Sequence, residues 1–222
     1  MPIIEMLKHL DTNLFLAING VHAPFFDVFM YAVSEKLMWI PLYVAVLFVI
    51  IKQWKKEAIW LILAFILCIV ISDQVASGIL KHMVKRLRPS HAEDLKGLVH
   101  LVKGYSGGLY GFASSHAANS VAFALLSSLI FKQRAYVYSI FGWALITVYS
   151  RVYLGVHYPL DIVGGAVVGS LAALGCYWVL AKFRPSLVQR NENLVAKKSM
   201  SIIPVAVLGL SFLGIIVYGF IN

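Results

Sequence analysis

Sixty per cent of the 222 residues are hydrophobic and only 13% carry a charge, well short of the roughly 25% that keeps a soluble domain wetted. A soluble enzyme is therefore excluded, and the absence of strand-like alternation excludes an outer-membrane barrel. The formal charge of +9 does not indicate nucleic acid, because the cations sit in loops and at helix ends with no basic face of interleaved aromatics.

Along the chain, residues 4–20 mix Ile, Leu and Phe with Glu5, Lys8, His9, Asp11 and Asn13, the pattern of a helix lying in the membrane interface. A short segment, 24–35, opens at Pro24 and carries Asp27 and Glu35. Six apolar stretches follow, at 37–54, 57–87, 112–131, 135–150, 158–181 and 202–220. They approach the roughly 20 residues needed to cross ~30 Å of hydrocarbon, with 135–150 the shortest. No basic segment with a small-residue cleavage site opens the chain, so no removed signal peptide is expected. Cys68 and Cys176 fall inside apolar stretches and read as packing thiols, which say nothing of redox compartment. The expected fold is all-α: a polytopic membrane helical bundle of about six transmembrane helices plus an N-terminal interfacial helix. Residues 1–222 are expected to form one domain.

Loop charges orient that bundle. The connections 52–56, 132–134 and 182–198 hold Lys52, Lys55, Lys56, Lys132, Arg134, Lys182, Arg184, Arg190, Lys197 and Lys198, against Glu57 and Glu192. The positive-inside rule places these loops in the cytoplasm. The 88–111 loop and the 151–157 turn are then expected to face outward.

Three clusters share that outward side. Lys81 and Arg88 bracket the end of the second stretch; seven residues apart, they are expected on one helix face with Lys85 between them, and Pro89 marks the exit. A juxtamembrane basic stretch touching anionic lipid is the plain alternative. At the start of the third stretch, Ser114, Ser115 and His116 follow Ala113. A helix N-terminus there offers free N–H groups to phosphate, Ser114 adds a hydroxyl, and His116 titrates near neutral pH. An ordinary serine cap with an incidental histidine is the alternative. The third cluster runs from Ser150 and Arg151 to His157, Pro159 and Asp161. His157 and Asp161 meet across one turn, so the carboxylate can fix the tautomer and leave the other ring nitrogen as nucleophile or base. Arg151 supplies a planar fork for phosphate oxygens. A structural His–Asp pair is the alternative here, and residue types alone do not choose the nucleophile between the two histidines.

In order and spacing the clusters resemble the signature of the type-2 phosphatidic acid phosphatase superfamily, K-x6-R-P, P-S-G-H and S-R-x5-H-x3-D. Lys81, Arg88 and Pro89 match the first, and Ser150, Arg151, His157 and Asp161 the third. In the second, Ser114 and His116 are kept, while Ala113 and Ser115 replace proline and glycine. The resemblance implies that His157 attacks phosphorus, oriented by Asp161, and that His116 protonates the leaving oxygen. It implies a phosphate cradle of Lys81, Arg88, Ser114, Ser115 and Arg151. Neither a metal nor another cofactor is expected, since the cations meet the phosphate charge and no Asp/Glu/His grouping makes a convincing ligand set.

The expected function is a lipid phosphatase whose partners are the lipid phosphate substrate and the bilayer, in a bacterial inner membrane with its site facing the exterior. Undecaprenyl diphosphate is the first substrate expected, with lipid A phosphate and phosphatidylglycerophosphate or phosphatidic acid as alternatives. An anion or lipid transporter is the rival of a different class. Three further features are marked. Asp73 either supports the cationic pocket, with Gln74 sharing a face with Lys81, or is hydrogen-bonded within the bundle. Gly165 and Gly169 read as a helix-packing contact. The 90–111 loop reads as a headgroup-recognition lid.

Overall fold

The structure, a computed structural model, describes residues 3–189 and 200–221. Its helices are α1 (Ile3–Asn19), α2 (Pro24–Ser34), α3 (Ile40–Trp54), α4 (Ala58–Asp73), α5 (Lys81–Val84), α6 (Ser115–Phe131), α7 (Arg134–Tyr153), α8 (Pro159–Phe183), α9 (Pro185–Gln189) and α10 (Ile202–Ile221). Proline stands in the first turn of α2, α3 and α8, where its missing N–H would have had no partner anyway. Ser114 caps α6 by accepting the Ala117 N–H at 3.4 Å. Lys55 and Lys132, both at φ 50°, turn the chain after α3 and α6.

The six expected crossings are α3, α4 with α5, α6, α7, α8 and α10. The run Lys36–Val84 and the helices Pro159–Phe183 and Ile202–Ile221 are each long and apolar enough to cross a membrane. The first is folded at Lys55 into two arms, α3 and α4, which pack on each other. The helix expected as the fourth crossing runs on past Ser150 to Tyr153, and the 20 residues of α7 would cover about 30 Å. Hydrocarbon-facing stripes mark the bundle: Val44, Leu47 and Phe48 on α3, Leu63, Ile66 and Leu67 on α4, Val167, Leu171 and Trp178 on α8, and Leu210, Leu213 and Val217 on α10 are all exposed. So much apolar surface would aggregate in water and is at rest in lipid.

α6 is the central post, packed by α4, α7 and α8. It fits because its neighbour has no side chain at two points. A Cβ on Gly165 would lie 2.3 Å from the Ser114 carbonyl oxygen, and one on Gly169 2.1 Å from that of Ala118. The expected packing role of this pair holds, and the backbones of α6 and α8 touch.

The three cationic connections gather at one end. Trp54 Nε1 donates to the Leu187 carbonyl at 3.2 Å, Lys132 Nζ donates to that of Val188 at 3.2 Å, and the Arg184 guanidinium lies 4.1 Å from the Trp60 ring centre. Arg190, Glu192, Lys197 and Lys198 lie outside the described residues. At the opposite end α1 and α2 meet at 117°. Helix α1 turns Ile3, Leu7, Leu10 and Leu14 outward and buries Asp11, Phe15 and Asn19.

Two expectations at this end are corrected. The second crossing does not continue as α-helix to Leu87: α4 passes into π-helical turns at Gln74–Leu80, α5 stops at Val84, and Lys85 is left-handed. Lys81, Lys85 and Arg88 therefore do not line one helix face, and Lys85 is exposed. The wider π turns also break the seven-residue register that would put Gln74 beside Lys81, and Gln74 too is exposed.

Replacing Gly169 by alanine should force α6 and α8 apart and lower the melting temperature in detergent, at an overpacking cost of about 1–3 kcal/mol. Gly175→Ala, on the same helix with open space around its Cβ, should melt at or above the wild-type temperature.

Candidate active site

After α5 the chain extends, and residues 86–88 pair antiparallel with 109–111. The Arg88 N–H donates to the Leu109 carbonyl at 3.1 Å and the Gly111 N–H to that of Arg86 at 2.8 Å. This short ribbon carries Arg88 under the 90–111 loop, where it is 7% exposed. Its guanidinium donates from Nε to the Tyr110 carbonyl (3.1 Å) and from Nη1 to that of Val156 (3.3 Å). The loop closes over it at Gly107, whose φ of 67° and lack of a side chain are both needed: a Cβ there would lie 2.6 Å from Arg88 Nη1.

The turn between α7 and α8 presents His157, 1% exposed, with Nδ1 3.2 Å from Asp161 Oδ2. Asp161 is fully buried at the start of α8. Its Oδ2 also accepts the Tyr158 N–H at 3.1 Å, its Oδ1 accepts from Arg86 Nη1 at 3.2 Å, and its carbonyl accepts the Ser114 N–H at 3.0 Å. The last bond ties the start of α6 to the start of α8, so Ser114, Ser115 and His116 arrive beside the His157–Asp161 pair. A Cβ on Gly111 would sit 2.5 Å from Asp161 Oδ2, so glycine is what admits the carboxylate.

Arg151, 2% exposed, bonds Ser34 Oγ through Nη1 and the Tyr105 hydroxyl through Nη2 at 2.9 Å. Its Nε has no partner among the described residues, leaving a buried donor that an anion can satisfy. Arg88, Arg151 and Lys81 all act electrostatically on His157. The site residues expected from sequence thus converge, although Lys81 and Arg88 arrive from a helix and a ribbon rather than from one helix face.

Asp73 is hydrogen-bonded within the bundle, its Oδ1 accepting from Asn119 Nδ2 at 3.0 Å while Asn119 Oδ1 accepts from Ser72 at 2.5 Å, and its charge also acts on Lys81. Asn119 and His116, one turn apart on α6, line a cavity of about 650 Å³ that descends between α3 and α4. Tyr43, Leu47, Phe65, Ile66 and Phe123 make its walls apolar, and Lys36 and Ser34 stand at the end where His116 does. The 90–111 loop is held by the N-terminal helices. Leu95 and Val102 are buried, His100 Nε2 lies 3.0 Å from Asp27 Oδ1, and the His22 ring stacks on His100 at 3.7 Å. Among the described residues no group of three His, Cys, Asp or Glu side chains could hold a metal ion.

Sequence reasoning missed Arg86, Asp11, Ser34 and Tyr105, which hold the expected residues in place. One signal was available for Asp11: Asp11, Phe15 and Asn19 recur every four residues, a stripe to one side of the outward apolar face of α1.

Residues 57–185 match the family model described as the PAP2 superfamily. The chain is 39% identical to a lipid A 4'-phosphatase of Bacteroides thetaiotaomicron over 83% of each protein. It is 38% identical to one of Porphyromonas gingivalis, over 79% of this chain and 75% of that protein. The crystal structure of Aquifex aeolicus LpxE superposes with a TM-score of 0.61 at 25% identity, covering 76% of this chain and 95% of that one.

Burial pushes the His157 pKa well below its usual 6.5; the positive charges of Arg88, Arg151 and Lys81 push the same way, against a backbone hydrogen bond with Gly111. A base with a lowered pKa stays neutral as the pH falls through 6.5 and gains its proton only in more acid solution. In nitrogen-15 spectra of histidine-labelled protein, the His157 ring should still show the neutral pattern at about pH 6, half a unit below the free imidazole value. A half-protonated ring near pH 6.5 would contradict the burial argument.

Proposed function

The chain belongs to the PAP2 superfamily and is a phosphatase, and from that premise we propose that it removes phosphate from a lipid A-type glycolipid through a phosphohistidine at His157. The observation that carries this reading is the juxtaposition of a buried His–Asp pair ringed by three cations with an apolar cavity that begins at His116. The first suits a phosphoryl group and the second an acyl chain. Water-soluble phosphate esters would have no use for the cavity.

In the proposed reaction the phosphoryl group lies among Lys81, Arg88, Arg151, Ser114, Ser115 and the free N–H groups of α6. His157 attacks phosphorus with its lone pair as the P–O bond to the lipid breaks. His116 gives its proton to the leaving lipid oxygen, then accepts one from the water that cleaves the P–N bond, so inorganic phosphate leaves and both histidines are regenerated. The cations and helix N-terminus stabilise the charge spread over the phosphoryl oxygens as it develops. Asp161 holds the imidazole in the productive tautomer. The proposal treats residues 1–222 as one working unit, since α1, α2 and α10 all pack onto the bundle that carries the motifs.

Lipid A phosphate replaces undecaprenyl diphosphate as the preferred substrate, because two relatives that span about four fifths of this chain carry the lipid A 4'-phosphatase name. Purified protein offered equal mole fractions of lipid A, undecaprenyl diphosphate and phosphatidylglycerophosphate in detergent should release inorganic phosphate fastest from lipid A. His157→Asn should fold and release none. Phosphate release by that variant at the wild-type rate would end the phosphohistidine reading, and a faster rate on undecaprenyl diphosphate would reverse the substrate order. A transporter would bind these lipids and release no phosphate.

We place the site at the outer face of a bacterial inner membrane, supported by the gathering of the cationic connections at the far end of the bundle. In a background lacking Cys68 and Cys176, Lys96→Cys in the 90–111 loop should react with an impermeant thiol reagent in intact cells. Ser186→Cys in α9 should react only after lysis. The opposite pattern puts the site in the cytoplasm.

A further inference from the structure

Helix α1 carries a carboxylate where an interfacial helix gains nothing from one. Asp11 is 4% exposed, and burying a carboxylate is costly unless each oxygen finds a donor. Both do. Oδ1 accepts the N–H of Leu160 in the first turn of α8 at 2.9 Å, and Oδ2 accepts from Arg86 Nη2 at 2.7 Å. The other arm of the same guanidinium, Nη1, reaches Asp161 Oδ1 at 3.2 Å, and the plane lies 3.9 Å from the centre of the Tyr158 ring. Asp161 Oδ2 is the atom that meets His157. A continuous line of charge-assisted hydrogen bonds therefore runs from the interfacial helix to the catalytic imidazole: Asp11, Arg86, Asp161, His157. Neither Asp11 nor Arg86 belongs to the three-part signature.

We propose that Asp11 is a positioning residue for the His157–Asp161 pair, acting through Arg86. The geometry gives the reason. Arg86 is a planar fork shared by two carboxylates, and each arm fixes the angle of the other. With Asp11 removed, the fork is held at one side only and can rotate to engage both oxygens of Asp161. Oδ2 is then drawn from His157 Nδ1, and the ring loses the partner that sets its tautomer. The Leu160 bond adds a second consequence: Asp11 docks α1 on the positive end of α8, so the seating of α1 on the lipid surface and the aim of the catalytic pair depend on one carboxylate.

The proposal rests on His157 as nucleophile, and the experiment separates the two claims. Phosphate release is measured against lipid mole fraction for wild type, Asp11→Asn, Asp11→Glu, Arg86→Gln, the double variant Asp11→Asn/Arg86→Gln, and His157→Asn. Asp11→Asn should lower kcat by about tenfold, the scale for partners that orient a reacting group without reacting, while KM stays within about twofold, since the cradle and cavity are untouched. Asp11→Glu, which keeps the charge, should recover part of the loss. Because the amide oxygen in Asp11→Asn can still accept the Leu160 N–H, that substitution acts through Arg86 alone, and the double variant should turn over no more slowly than Arg86→Gln alone. Arg86→Lys, which keeps the charge and loses the fork, should show the same split of kcat from KM and serves where Asp11→Asn does not fold. Wild-type kcat in Asp11→Asn, or losses that multiply in the double variant, overturns the relay even when His157→Asn is inactive. Activity in His157→Asn overturns the nucleophile reading instead.

Discussion

A carboxylate with no exposed surface has to be matched with donors wherever it can accept, and in this bundle that requirement falls on Asp161. Its side chain takes hydrogen bonds from His157, from the Tyr158 backbone and from Arg86, and its carbonyl takes one from the Ser114 N–H. Together the four bonds recruit three parts of the chain: the α7–α8 turn, the ribbon after α5, and the start of α6. Gly111 is glycine because the carboxylate fills the space of its Cβ. An unmatched charge here would cost several kcal/mol, so the pieces of the site are brought together by the same demand that keeps α8 folded.

The groups of the candidate site were legible in sequence because each cluster is local. His157 and Asp161 are one turn apart, Ser114 and His116 bracket a helix start, and the glycine spacing on α8 announces a close neighbour. Hydropathy is plainest for the run Lys36–Val84 and for the helices Pro159–Phe183 and Ile202–Ile221, where the apolar residues are consecutive in the chain. What holds these groups was not legible. Arg86 is separated from Asp11 and from Asp161 by 75 residues each, and Arg151 from Ser34 by 117. No spacing rule reaches across such distances. The four-residue stripe of α1 says that Asp11 faces inward, yet nothing in it says toward what.

The shared helix face expected of Lys81 and Arg88 failed in a more specific way. Their separation suits one face of an α-helix, and that reading assumed a helix without interruption. The π-helical turns at Gln74–Leu80 change the number of residues per turn, and the left-handed Lys85 then ends the helix. The π-helical turns pack against α6 and α8, contacts that no local preference announces. Pro89 marked the end of the segment correctly; the turn of chain before it was set by tertiary contacts. Wide turns of this kind occur often beside functional sites, and here the register they alter is that of a cationic side chain.

The cavity between α3 and α4 has a consequence for how rates should be understood. Leu47 and Ile66 belong both to its wall and to the exposed apolar surface, so under the proposed function an acyl chain would slide in sideways without its carbons ever meeting water. Substrate and enzyme then share a two-dimensional phase, and collision frequency follows the surface fraction of the lipid, not its bulk molarity. Adding inert detergent should slow the reaction by dilution within the plane, while inorganic phosphate leaves into the aqueous phase. Turnover thereby couples a planar reactant pool to a volumetric product pool, and the large difference in their capacities helps to draw the hydrolysis forward.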